Sequence, residues 1–439
     1  MPPNPGTFGK TKLIIIGGGI AGYSLAHEAA KLEIGSLVLD NGQSGTTHSA
    51  TGILDARADH LVRDIGSVIQ TDREIIEWQN SFSYEPRIVK PRHFLMPIDE
   101  NTPHSVFAFD TLFEFYEKVA WLRLNRLPDK HRLIPASLLE RMEPNLKRGR
   151  FKSAVSFWLW TVDPDALLRK VKNEAVMFSP FAKRLLINRI VGFKIKCGNV
   201  EEIVVEDYES KKMVIGNLGP LVVVNTTGPW IGETLKPLGI KFPVELKLGV
   251  QTKFPGHYFQ SDSGLMTFGK DGKYVICLQE KGYLQVGPTS SDFDGQPGHI
   301  GTATHDLNYL EETLSDILEE GYLVPAPEIL KYGWRVKPKY IIDTDRPLIW
   351  HHQKEGFSNL YTTVPGKMIL GLLTARELLA RLTCDGWLGG KIAVSCPKLA
   401  LDGNRPCYNQ LKLAWFYIKS HLILGWPFLK KLTKKSLFI

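Results

Sequence analysis

The chain has 439 residues, of which 43% are hydrophobic and 23% charged. These are globular values that exclude a disordered chain, and the length exceeds one simple core, so two domains are expected. The formal net charge is +8, and no uncharged apolar run reaches the ~18 residues of a spanning helix.

In chain order the first element carries the strongest signal. Leu13 to Ile16 form an apolar run that meets Gly17-x-Gly19-x-x-Gly22 and flows into a helical pattern. A second apolar run, Leu37-Val-Leu, ends on Asp40. Strand, glycine turn, helix, strand and acid is the order of a dinucleotide-binding unit. Gly17 permits the tight turn, Gly19 lets backbone approach a pyrophosphate, and Gly22 lets helix and strand pack closely. The pyrophosphate is expected on the helix N-terminus, where free N–H groups and the dipole favour negative charge. Asp40 stands where a carboxylate accepts hydrogen bonds from a ribose.

Residues 43–60 hold a Ser/Thr/Gly-rich loop, 67–80 read as helix, 86–98 alternate as strand, and 105–123 read as an aromatic-rich amphipathic helix. Ser137-x-x-Glu140 has the form of a capping box. Asp163-Pro164 is an N-cap followed by proline at the first helical position, with helix continuing to Val176. Ile187–Ile195, Glu202–Glu206 and Lys212–Ile215 alternate as a strand meander. Leu221-Val-Val-Val-Asn225 is a continuous apolar run of the buried parallel kind, turning at Thr226-Thr-Gly-Pro-Trp230 into a helix. Residues 242–301 are strand-rich, Leu307, Leu310, Leu314 and Leu318 mark an amphipathic helix, and Leu360–Val364 is a last strand before a helix opened by Gly366-Lys367. A nucleotide fold thus reads as interrupted by strand-rich inserts.

With these motifs in this order, the chain resembles FAD-dependent oxidoreductases of the D-amino-acid oxidase/glycerol-3-phosphate dehydrogenase superfamily. Within it the likeness is strongest to the catalytic A subunit of the anaerobic, quinone-linked glycerol-3-phosphate dehydrogenase. The likeness spans about residues 12–385 and rests on Gly17–Gly22, Glu140-Arg-Met-Glu-Pro-Asn145, Val162-Asp-Pro164, Val223-Val-Asn-Thr-Thr-Gly228-Pro-Trp, Gly287–Gly295, Gly333-Trp-Arg335 and Val364-Pro-Gly-Lys367. It implies an α/β (α+β) fold, with a Rossmann-like FAD-binding domain at 11–80, 151–240 and 335–385. An interleaved antiparallel-sheet substrate domain is implied at 81–150 and 241–334. The absence of a second GxGxxG agrees with FAD rather than a nicotinamide cofactor.

The cofactor-binding residues that the resemblance implies are Gly17, Gly19, Ile20, Ala21, Gly22, Asp40, Asn41, Ser44, Gly45, Thr46, Thr47, Thr227, Gly228, Gly366, Lys367 and Met368. In this family the last helix points its N-terminus at the flavin pyrimidine edge, where Lys367 and the dipole favour the charge of reduced flavin. Hydride passes from a substrate carbon to flavin N5. Arg335 matches the arginine that clamps an anionic substrate through two parallel hydrogen bonds. After the flavin loop the chain departs from the family's Ser-Gly-Ala-Arg-Tyr character, reading Gly52-Ile-Leu-Asp-Ala-Arg57-Ala-Asp-His60, with Arg57 as the displaced arginine. Oxidation of an alcohol needs a general base. His48 and His60 follow the flavin loop, and His257, His351 and His352 are further candidates. No metal site is expected.

Residues 403–439 contain no Asp or Glu and interleave lysines with aromatic and aliphatic residues. That composition suits a membrane interface, or a helix docked on a partner subunit. With residues 386–439 it forms a basic tail that accounts for much of the net charge, and no nucleic-acid motif accompanies it. The start, Met1-Pro-Pro-Asn-Pro-Gly6, is polar and proline-rich, so no signal peptide is expected. The five cysteines, Cys197, Cys277, Cys384, Cys396 and Cys407, show no CxxC or zinc spacing and are expected as free thiols in a reducing cytoplasm. They also lack the close spacing of the iron–sulfur module carried by longer members of the resembled family.

Three functions follow from this reading. The first is a dehydrogenase, peripheral on the cytoplasmic face of the membrane, that oxidises sn-glycerol 3-phosphate or a related small anionic hydroxy compound. Its electrons pass to quinone or a partner subunit. The second is a peroxide-producing amine or amino-acid oxidase, with Asp55 and Asp59 facing an amine. The third is a flavin-binding subunit that has lost catalysis and docks a partner.

Overall fold

The computed structural model describes residues 11–43, 45–54, 65–81, 88–124, 130–177, 179–216, 221–299, 303–322, 324–339 and 346–389. Among the described residues the strands form three sheets. The six-stranded sheet has Thr11–Ile16 flanked in parallel by Val222–Asn225 and Gly35–Asp40. Leu360–Val364 adds in parallel on one side and Ala182–Leu186 on the other, and Leu348–His351 closes one edge antiparallel. The apolar run of the first strand follows from this position. Leu13 and Ile15 enter one hydrophobic cluster, while Ile14 and Ile16 enter another on the opposite face. Both faces of a parallel strand are covered, so alternation gives way to continuous hydrophobicity.

The nine-stranded sheet is mainly antiparallel. Val89–Ile98, Ser153–Val162, Gly264–Phe268, Tyr274–Glu280, Tyr283–Gly287 and Val244–Pro255 run through it, and Glu328–Pro338 lies along Val244–Pro255. Successive side chains again divide, Phe94 and Met96 facing one cluster and Leu95 another. The expected meander is the third sheet, Arg189–Lys196, Asn199–Glu206 and Lys212–Gly216.

The structure corrects several expectations. Ser153–Val162, assigned by sequence to the cofactor-side segment 151–240, pairs with Val89–Ile98 in the nine-stranded sheet, where Phe157 stacks on Phe94 at 6.2 Å. Its aromatic residues find their partners across that ladder. Glu328–Pro338 likewise carries the large sheet past residue 335. The helix Ala136–Met142 begins one residue before Ser137, with Pro135 at the N-cap and no side-chain cap, so the capping box does not form. The helix Pro164–Lys172 is capped by Asp163 as expected, but continues as a π-helical turn, Asn173–Met177. Lys367 does not open the last α-helix. It caps a short 3-10 turn, Met368–Leu370, that precedes Gly371–Cys384. Cys197 and Cys277 are free, whereas Cys384 is disulfide-bonded, against the expectation of free thiols throughout.

The helices Ile65–Ser81 and Gly371–Cys384 are joined by an ion pair, with Arg376 Nη2 2.7 Å from both Glu74 carboxylate oxygens. Glu74 is buried, and its carboxyl sits above the usual range because burial outweighs the guanidinium. Arg376→Met leaves that carboxyl without its cation. It should lower stability by about 2 kcal/mol, less than for a fully buried pair because Arg376 is partly exposed. Denaturant unfolding of the two proteins checks this.

Candidate active site

The site begins where the first strand ends. Gly17 adopts φ +113, and a Cβ there would lie 2.9 Å from the Thr226 carbonyl oxygen. A Cβ on Gly22 would lie 1.9 Å from the Gly17 carbonyl oxygen, so helix Ile20–Lys31 and the strand end touch through bare backbone. The Thr226 hydroxyl is 2.9 and 3.0 Å from the Ile16 and Gly17 carbonyl oxygens and ties the adjacent strand into the turn. Gly19 differs from these neighbours. The nearest atom to a Cβ there is the Thr47 hydroxyl at 3.6 Å, so the space above Gly19 is open. Ile20 N–H donates to that hydroxyl at 3.2 Å, and Gly19 provides no side-chain cap.

This turn forms one end of a cavity of about 950 Å³ that both large sheets line. Asp40 lines it too, from the end of the second strand. Its carboxylate is not free. One oxygen accepts from the Tyr23 hydroxyl at 2.8 Å and from Arg184 Nε at 2.9 Å, and the other from Gly42 N–H at 3.0 Å. It also lies over Gly18, where a Cβ would be 2.1 Å from its Cγ. Gly18, Tyr23, Thr226 and Arg184 were missed by sequence reasoning. The run of three glycines was the available signal for Gly18, whereas Arg184 is distant in sequence and left none.

Residues 45–54 bridge the sheets. Leu54 N–H donates to the Trp160 carbonyl at 3.0 Å, and Val162 N–H to the Gly52 carbonyl at 2.7 Å. Thr46 donates to the Trp334 carbonyl at 3.0 Å. Gln251, buried, donates to the Ser49 carbonyl at 2.7 Å and accepts from Gln285 at 2.8 Å. A Cβ on Gly333 would strike Ser49 at 2.6 Å, so the Gly of Gly-Trp-Arg exists to let the loop in. Gln251 also lines the cavity, and sequence reasoning did not single it out, because its strand carries several polar residues and none of them marks its partner.

Arg335, on the same strand, lines the cavity and donates to the Thr289 carbonyl at 2.7 Å. Lys367 lines it from the other sheet, with Nζ 3.4 Å from the Thr71 hydroxyl. Thr227, Gly228, Gly366 and Met368 are also in its wall, Gly228 at φ +58 and Gly366 at φ +73. Asn41, Gly45, Thr46 and Thr47 complete the expected set there; Gly22 packs behind the turn. His48 lines the cavity, and its Nδ1 hydrogen-bonds Asp165, whose other oxygen is 3.8 Å from Lys331 Nζ. Of the remaining histidine candidates, His352 is fully buried, bonds Thr362 at 2.8 Å, and has a pKa lowered by burial to about 4. His351 bonds the Ser358 carbonyl and stacks on Tyr361. Neither reaches the cavity, nor does His257. Ser44, Arg57, His60 and the tail 390–439 lie outside the described residues. Among the described residues no cluster of His, Cys, Asp and Glu has the form of a metal site, and no helix is long and apolar enough to cross a membrane.

A parallel sheet whose strand ends carry a bare glycine turn, facing an antiparallel sheet across one cavity, defines a dinucleotide-dependent enzyme of two interleaved sheets. The family described as FAD dependent oxidoreductase matches residues 12–384, and the chain belongs to it. The aerobic glycerol-3-phosphate dehydrogenase of Staphylococcus saprophyticus is 24% identical over 383 residues, covering 81% of this chain and 64% of that protein. The alpha-glycerophosphate oxidase of Streptococcus pyogenes is 24% identical over 323 residues, 68% of this chain and 49% of that protein. The match therefore spans about half to just under two thirds of the length of these relatives. The structure of the glycerol-3-phosphate dehydrogenase from Bacillus halodurans, complexed with FAD, shares the fold with TM-score 0.62 at 17% identity, over 88% of this chain and 67% of that one.

FAD is the cofactor of this family, and the cavity fits it. The opening over Gly19 and the helix N-terminus beside it suit a pyrophosphate, and Asp40 stands at the strand end where a ribose is held. Gly19→Ala adds a methyl group to open space in the protein but to the cradle of the ligand. It should fold with near-normal cooperativity and purify with a much reduced flavin-to-protein absorbance ratio. Gly22→Ala, which drives a methyl group into backbone, should fail to fold stably as judged by circular dichroism.

Proposed function

We propose that the chain oxidises sn-glycerol 3-phosphate, or a closely related small anionic hydroxy compound. The observation that carries this reading is Arg335, a guanidinium in the cavity wall held at the Thr289 carbonyl. The names of the curated relatives support the substrate. In this reading the parallel sheet holds FAD through Gly17–Ala21, Asp40, Asn41, Gly45–Thr47, Thr227, Gly228 and Gly366–Met368. The antiparallel sheet holds the substrate.

Bound FAD supplies a two-electron acceptor. The protein's own groups do the rest. Arg335 binds the anionic end through paired hydrogen bonds. Asp165 accepts from His48 Nδ1, which leaves Nε2 as the basic nitrogen to take the hydroxyl proton. Lys367 places a positive charge at the end of the 3-10 turn, where negative charge develops. Electrons then pass to quinone or a partner protein, with oxygen as the competing acceptor.

Anaerobic addition of sn-glycerol 3-phosphate to the FAD-loaded protein should bleach the visible flavin band. Flavin that stays oxidised with this and with related hydroxy acids overturns the reading. Arg335→Met should lower kcat/KM by about 100-fold, as loss of charge-assisted hydrogen bonds implies. Peroxide formation under air, measured beside quinone reduction, identifies the acceptor.

A further inference from the structure

Arg335 is not the sole cation on its face of the sheet. Glu328–Pro338 lies antiparallel to Val244–Pro255, and Lys247 is the direct register partner of Arg335. Lys337 follows Arg335 by two positions and so projects to the same face. All three residues line the cavity. Gly249, two positions from Lys247, leaves a gap into which the Arg335 guanidinium fits, 3.5 Å from where a Cβ would stand. Lys247 stands directly across from Arg335 and Lys337 is the next residue on the same face of that strand, so the three cations are neighbours on the ladder.

A carboxylate sits among these cations. Asp292, on Ser291–Phe293, is the other register partner of Lys247 and forms an ion pair with it. It is 80% exposed. Its carboxyl is held below the usual range by the Lys247 hydrogen bond and charge, with further contributions from Lys337 and Lys273. Lys273 is itself paired with Asp271 at 2.8 Å. Lys337 has no ion-pair partner within 4 Å among the described residues, and the exposed Glu245 is its direct register partner across the ladder. The other acids in the wall are engaged or set apart: Asp271 also accepts from Tyr309, Asp306 accepts from Ser291, Asp40 accepts from Tyr23 and Arg184, and Glu233 stands on the opposite sheet's helix Ile231–Leu235.

We infer that Lys247 and Lys337 form an anion-receiving site beside Arg335, that Asp292 fills it in the free protein, and that the anionic group of the substrate displaces Asp292 as it binds. This rests on the proposed anionic substrate. The Asp292 carboxylate stands open to water although Lys247 is only 25% exposed, and a pair with one member so solvated contributes little to stability, so exchanging one oxyanion for another costs little. A cleft bearing one sign of charge raises the local concentration of the opposite ion, an effect that salt screens.

The test is calorimetric titration of the FAD-loaded protein with inorganic phosphate, at low and at high ionic strength. Lys337→Met should weaken phosphate binding by about tenfold at low salt, and Lys337→Arg should restore it. Asp292→Asn should tighten binding, because the internal competitor has gone. High salt should shrink both differences. Lys196→Met, which removes the same charge from the remote three-stranded sheet, should change nothing. If Asp292→Asn and Lys337→Met leave phosphate binding unchanged, or shift it in the same direction, the inference is overturned. If the variants behave as expected but sn-glycerol 3-phosphate fails to reduce the flavin, the anion site stands and the substrate reading falls. If the substrate reduces the flavin while phosphate binding is indifferent to every variant, the substrate reading stands and the anion site falls.

Discussion

Three pieces of bare backbone meet at the end of the first strand, and the active site depends on that meeting. The Gly17 carbonyl, the Cα of Gly22 and the carbonyl of Thr226 approach too closely for any side chain between them. The contact fixes helix Ile20–Lys31 against two neighbouring strands and aims its N-terminus into the cavity. Each strand around it is covered on both faces, so the turn is anchored in a buried core. Burying these apolar side chains supplies the stabilisation that offsets an open ligand cradle in the same place.

The second sheet is brought to this turn by residues 45–54. The segment leaves the parallel sheet, runs beside Ser153–Val162, and is held from above by Gln251 and the Trp334 carbonyl. Thr47 then reaches back to Ile20. One short segment thus touches the helix N-terminus, the antiparallel sheet and the strand bearing Arg335. Tyr332, Trp230 and Phe293 pack around Trp334 and hold that strand in place.

How much of this was legible in the sequence depended on the range of the interaction. The βαβ unit was readable because glycine spacing, apolar runs and a terminal acid are local signals. The Asp163 cap and the meander were readable for the same reason. Ser153–Val162 was placed on the wrong side because alternation marks a strand without naming its partner, which here lies at Val89–Ile98. The Ser137 capping box failed because Pro135 and the preceding strand start the helix earlier, and backbone geometry decides which residue is the cap. Gly19, Thr47, Arg335 and Lys367, all singled out from local motifs, line the cavity. Arg184, Gln251 and Asp165 are brought in by tertiary pairing alone. Asp40 was found, but not that Tyr23 and Arg184 already hold one of its oxygens.

The tie between Thr47 and the N-terminus of helix Ile20–Lys31 has a consequence for the life of the protein in the cell. This hydrogen bond joins the cofactor turn to the loop that the other sheet carries, and a dinucleotide held over Gly19 would lie against both. FAD then acts as mortar between the two halves, and the folded state is weighted by ligand occupancy through mass action. The share of folded chain would then follow the supply of its flavin, since a ligand that binds only the folded state shifts the equilibrium toward it.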